Sequence, residues 1–113
     1  MANVYRVTIA HESEFKKPLL LSRGERLRFE RRTTQWEGWL WCVTQDGQSG
    51  WIPEAWVDVV GDTCVMNRDY DATELTVAVG EVLKAILTES GWLLAVSASG
   101  QTGWVPLECV ELV

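Results

Sequence analysis

The chain has 113 residues, 47% of them apolar, and carries 10 Lys/Arg against 16 Asp/Glu, a net charge of −6. That length holds one ordinary domain or two very small ones. The acid excess argues against a nucleic-acid partner, because phosphate binding needs a basic face. No apolar run is long enough to span a membrane, so no membrane partner is expected. The N-terminus "MANVYRVTIA" shows no basic segment followed by an apolar one, so no export signal is read there. The three cysteines, Cys42, Cys64 and Cys109, are odd in number and widely spaced. They fit neither a disulfide framework nor a zinc site, and they point to a reducing, cytoplasmic setting. All three are expected to be small buried apolar residues.

In chain order, the first clear element is "RLRFE", where Leu27 and Phe29 point one way and Arg26, Arg28 and Glu30 the other, as in a strand. The same alternation makes the basic run Arg23–Arg32, interleaved with Glu25 and Glu30, the solvated face of a strand rather than an RNA-binding stripe. "TQDGQ" reads as a two-residue Asp-Gly hairpin turn. "PEAW" reads as one turn of 3₁₀ helix started by Pro53. "VVGDT" follows, too short for a flexible linker, and reads as a tight junction. After it the pattern begins again, with "SASGQ" in the place of the first hairpin turn and "PLEC" in that of the first 3₁₀ turn.

The second half repeats the first. "EGWLWCVTQDGQSGWIPEAWVDVV" lies over "SGWLLAVSASGQTGWVPLECVELV" without a gap, placing Trp39 on Trp92, Trp51 on Trp104 and Pro53 on Pro106. "PLLLSRGE" likewise lies over "ELTVAVGE". The expectation is an all-β chain of two consecutive small barrels, residues 1–60 and 61–113, each with about five short strands and a short 3₁₀ turn. Residues 1–60 balance 8 Lys/Arg with 8 Asp/Glu, while residues 61–113 hold 2 against 8, so the second copy is expected to carry the whole net charge and to attract basic ligands. Val82 and Ile86 take positions held by Arg26 and Glu30 in the first copy, which marks them as a candidate buried face between the copies or as scattered surface apolars.

The order "ELTVAVGE", a Gly-Trp, "GQTGWVP" and a Val-acid-Leu end resembles the SH3 domain, twice over. The "RDYDATELTVAVGE" run is most similar to variant SH3 domains of bacterial proteins. The resemblance covers about residues 4–60 and 63–113. It implies a peptide groove lined by Trp39, Pro53 and Trp56 in the first copy and by Tyr70, Trp92 and Pro106 in the second. The acids that read a ligand's Arg in that family map near Asp71 and Glu74 in the second copy. In the first copy Pro18 stands at the position of Glu74, with Glu12 and Glu14 nearby. The pattern departs from the family where Leu40 and Leu93 replace the second Trp of its pair, where Cys109 replaces the last groove aromatic, and where "VTIAH" at Val7–His11 lacks a tyrosine.

Flat rigid rings suit a Pro-rich segment, which is already ordered as polyproline II, and an acid beside them pairs with a ligand Lys or Arg. Trp41 and Phe15 are further candidates for the first groove, and Trp36 reads equally as flanking that groove or as covering the junction. Trp51 and Trp104 read as structural, and His11 as a strand-end residue. No nucleophile–base pair, metal cluster or phosphate loop is legible, so neither an enzyme nor a cofactor is expected. The function implied is a non-enzymatic tandem adaptor for a protein or peptide ligand, Pro-rich or basic. The alternative is an assembly protein whose degenerate barrels self-associate or join a larger complex. A module that binds cell-wall peptides would need the export signal that is not read here.

Overall fold

The computed structural model describes residues 3–13, 18–32 and 37–113, and among these every regular element is a strand or a single 3₁₀ turn. The all-β expectation holds. The strands are β1 (Val4–Val7), β2 (Leu20–Leu21), β3 (Arg26–Glu30), β4 (Trp39–Val43), β5 (Ser49–Pro53), β6 (Val57–Val60), β7 (Thr63–Met66), β8 (Tyr70–Asp71), β9 (Val82–Glu89), β10 (Trp92–Val96), β11 (Thr102–Pro106) and β12 (Val110–Leu112). The 3₁₀ turns fall at Glu54–Trp56 and Leu107–Cys109, each directly after its proline.

The compact units do not follow the linear division at residues 60 and 61. One unit comprises Met1–Lys17 with Thr73–Val113, and the other comprises Pro18–Ala72. The first holds an antiparallel sheet in the order β11-β10-β9-β1-β12, and the second a sheet in the order β5-β4-β3-β7-β6. The two orders are the same, but the opening strands have changed places. β1, at the start of the chain, lies between β9 and β12, and β7, at the start of the second repeat, lies between β3 and β6.

The cause is local. "VVGDT" is not a junction between barrels but the turn of a hairpin. Val60 pairs with Thr63, leaving Gly61 and Asp62 as the two-residue loop. Gly61 has φ of 64°, which suits the first central position of a primed hairpin turn and strains most other residues there. The strand after such a turn must pair with the strand before it, so β7 is committed to β6 and completes the wrong repeat. The vacant place beside β12 is then filled by β1.

Hydrogen bonds show that the two opening strands occupy equivalent places. Val7 N–H donates to Glu81 O at 2.8 Å and Gly80 N–H to Val7 O at 2.8 Å. In the other unit Met66 N–H donates to Glu25 O at 2.9 Å and Gly24 N–H to Met66 O at 2.8 Å. Val7 closes the core of the first unit with Leu75, Val77, Leu83, Leu93, Ala95 and Val105. Cys64 and Met66, at 0% and 1% exposure, do the same for the second, which also buries Leu27, Leu40 and Ile52.

The exchange redistributes charge. Pro18–Ala72 carries six Lys/Arg and nine Asp/Glu, and the rest of the chain four and seven, so each unit holds −3. The expected acidic second barrel is therefore replaced by two units of equal charge. Val82 and Ile86 are 43% and 52% exposed, which makes them surface apolars. The hairpin loops also differ in length from expectation. Val43 pairs with Ser49 and Thr44 N–H donates to Gln48 O, so Gln45, Asp46 and Gly47 form a three-residue loop. Thr44 Oγ1 accepts from Gln48 N–H, and Ser97 Oγ accepts from Gln101 N–H in the second copy, so each loop is closed by its own hydroxyl.

Two measurements test this arrangement. Val7→Ala should cost about 2 kcal/mol and lower amide-exchange protection in β9–β11 while leaving β3–β5 protected; loss confined to β3–β5 would restore the linear division. A Cβ on Gly103 would lie 2.9 Å from Thr73 O, 3.1 Å from Leu75 N and 2.9 Å from Leu75 Cγ, whereas one on Gly50 meets only the Leu19 side chain. Gly103→Ala should therefore destabilise the protein by roughly 2–3 kcal/mol in urea melts, and Gly50→Ala by less.

Candidate groove site

In the second unit the turn into the 3₁₀ segment and the exchanged strand bring four aromatic and proline residues into one region. Trp39 pairs directly with Pro53 at one end of the β4–β5 ladder. The 3₁₀ turn that follows Pro53 presents Trp56, whose ring meets Tyr70 edge-on at 5.5 Å between centroids. This interplanar angle of 90° is the edge-to-face arrangement that aromatic quadrupoles favour. Tyr70 O–H donates to Trp51 O at 3.1 Å, and the Arg68 guanidinium lies 4.7 Å from the centre of the Trp56 ring. Pro53, Trp56 and Tyr70 are buried, while Trp39 is half-buried. Beside Tyr70 lies a shallow depression lined by Leu20, Leu21, Ser22, Asp69, Tyr70 and Asp71. Asp69 accepts from Arg23 N–H at 2.8 Å, and Asp71 is exposed.

Tyr70 thus lies in the unit of Trp39, Pro53 and Trp56, not in that of Trp92 and Pro106. The strand exchange carries it, together with Asp71, into the unit of the first repeat's tryptophans. The aromatic set that the linear reading divides between two grooves is gathered in one.

The first unit builds the equivalent region from different chemistry. Trp92 pairs with Pro106 as Trp39 does with Pro53. Cys109 stands where Trp56 stands, each receiving a backbone hydrogen bond on its carbonyl, from Thr8 and Asn67 respectively. His11 stands where Tyr70 stands. It bridges Val77 as Tyr70 bridges Leu21, and its ring meets Trp92 edge-on at 5.8 Å. His11 Nε2 and Glu74 Oε1 are 2.8 Å apart, with side chains 14% and 10% exposed. Glu74 therefore sits at the groove, but against His11, while Asp71 sits in the other unit. His11 was legible only as a strand-end residue. Its signal is the frame "VTIAH" over "MNRDY", which sets it on Tyr70.

The remaining tryptophans divide cleanly. Trp104 is 2% exposed, a structural residue as read. Trp51 and Trp41 lie directly opposite on β5 and β4 with rings edge-on at 5.2 Å, and Arg32 stacks 4.4 Å over Trp41. Trp36, Phe15 and Glu14 lie outside the described residues. All three cysteines are free and buried. Burial raises each thiol pKa above its ordinary value; the neighbouring Cys64, with Sγ atoms 4.0 Å apart, adds to the effect at Cys42, and Glu108 adds to it at Cys109.

Residues 63–113 match the family model of the variant SH3 domain. Over that stretch the chain is similar to an SH3-like domain. No curated protein and no solved structure matches the chain. The matched stretch is continuous in sequence, whereas in the folded chain its first ten residues pack in the unit of Pro18–Ala72. An SH3-like domain is an interaction module in general, and its fold is not a catalytic one.

Thiol reactivity tests the site chemistry. A raised thiol pKa leaves little thiolate at pH 8, the reactive form. A disulfide reagent should therefore modify none of the three cysteines in the folded chain within minutes and all three after denaturation. Rapid labelling of Cys109 in the folded chain would contradict its burial in the first unit.

Proposed function

We propose that the protein is a tandem SH3-like adaptor that captures an extended segment of a partner protein in the groove of Trp39, Pro53, Trp56 and Tyr70. The observation that carries this reading is the gathering of the family's groove residues in one unit, with Tyr70 against Trp56 and an exposed acid, Asp71, beside them. The half-buried ring of Trp39, in the same unit as the buried pair Trp56 and Tyr70, offers a flat wall to a polyproline II ridge at little entropic cost. The depression at Tyr70 suits a ligand Lys or Arg, which Asp71 would meet. The preferred ligand is therefore Pro-rich with a basic residue. The groove of Trp92 and Pro106 serves as a second, weaker site, since His11 already engages Glu74. Three free buried thiols suit a reducing compartment such as the cytoplasm.

Titration of the labelled protein with Pro-rich basic peptides, followed at the indole N–H signals, tests this. The expected result is shifts at Trp39 and Trp56 first, with Trp39→Ala weakening binding at least tenfold and Asp71→Asn weakening it for basic peptides alone. Shifts confined to Trp41 and Trp51, or binding unchanged in Trp39→Ala, would overturn the groove.

A further inference from the structure

The arm Asn3–Ser13 fills a slot between β9 and β12, and its far end carries His11 to Trp92 and Glu74. Tyr5 lies opposite both Leu83 and Leu112, and Val7 opposite Val110. Thr8 N–H donates to Cys109 O at 2.8 Å, and His11 exchanges two backbone hydrogen bonds with Val77 at 3.0 and 2.8 Å. Val7 is 1% exposed and closes the core of the unit. This is a complete strand-in-slot contact, satisfied on both edges.

What ties this arm to this slot differs from what ties β7 to its own. β7 is two residues from its partner β6, and the turn at Gly61 dictates the pairing. β1 pairs with β12 across 102 intervening residues. Closing a loop of that length costs more entropy than closing a hairpin, and long-range pairing forms late. Until the arm arrives, β9 and β12 present facing unpaired edges, which are templates for another strand. The chain itself shows that such slots accept an opening strand from elsewhere in sequence, since Met66 makes in one unit the hydrogen bonds that Val7 makes in the other.

We propose that the chain forms a reciprocal dimer in which the arm Asn3–Ser13 of each copy fills the β9–β12 slot of a second copy. Every hydrogen bond and buried contact of the arm is conserved in that exchange, so it costs no contact energy. The intrachain arm competes at an effective concentration on the order of 1 mM, so exchange is favoured when chains fold near that concentration. The partner is a second copy of this chain, and the proposal stands independently of peptide capture.

Arg6 and Val82 are direct partners on β1 and β9. They fall between the bonded positions Val7–Glu81 and Tyr5–Leu83, which makes them a non-hydrogen-bonded pair of the spacing a disulfide spans. The double variant Arg6→Cys, Val82→Cys is refolded at about 10 μM and at about 1 mM and then treated with oxidised glutathione. Each protein disulfide formed reduces one glutathione disulfide to two thiols. The expected product is a crosslinked monomer at the low concentration and a covalent dimer at the high one, with the unsubstituted chain sedimenting as a dimer after the same high-concentration refolding. Crosslinked monomer at both concentrations overturns the proposal, whether the unsubstituted chain sediments as a monomer or as a dimer joined by another surface. Val4→Cys with Lys84→Cys, the next pair of the same type, gives the same reading if the first variant does not fold.

Discussion

A two-residue turn governs this molecule. Gly61 and Asp62 leave the chain no reach beyond the strand it has just finished, so β7 must fold back on β6. In a repeat whose opening strand belongs beside its closing strand, that single closure hands the second repeat's opening strand to the first. The second repeat then takes its own from the start of the chain, and β1 pairs with β12. Both units end with the same strand order, the same hydrogen bonds at Val7 and Met66, and a filled core. A longer linker would let each repeat close on itself; the short one makes the two halves interdependent.

The exchange decides what each groove contains. It brings Tyr70 and Asp71 to Trp39, Pro53 and Trp56, and it brings His11 to Trp92 and Pro106. One unit therefore groups Trp39, Pro53, Trp56 and Tyr70 with the exposed Asp71. The other is polar, with an imidazole bonded to the acid that its family resemblance assigns to ligand reading. The same step divides the net charge equally between the units, so bulk charge does not distinguish one from the other.

Much of this was legible in the sequence. The duplicated Gly-x-x-Gly-Trp block fixes a glycine where β11 runs against Thr73 and Leu75, and that close approach admits no side chain at Gly103. The alternation in "RLRFE" and the proline before each 3₁₀ turn gave the strands and turns directly. The equivalence of Trp39 with Trp92 and of Pro53 with Pro106 also follows from the repeat. The partnership between segments does not. A repeat shows which residues are equivalent, but equivalence holds equally for a strand that closes on its own copy and for one that closes on the other. Only the length of "VVGDT" bears on the choice, and it reads as a tight junction in sequence, whereas the pairing of Val60 with Thr63 makes it a hairpin turn. Tyr70 and His11 were misplaced for the same reason, since each sits on a segment that crossed.

The strand exchange is tested most directly at Val65, which faces Arg26 in a non-hydrogen-bonded pair. Such pairs bring the two Hα atoms close enough for a strong nuclear Overhauser effect. The account predicts a strong Hα–Hα effect between Val65 and Arg26, together with one between Arg6 and Val82. A strong effect between Val65 and Val82 instead would mean that the second repeat keeps its own opening strand, and the account would fail.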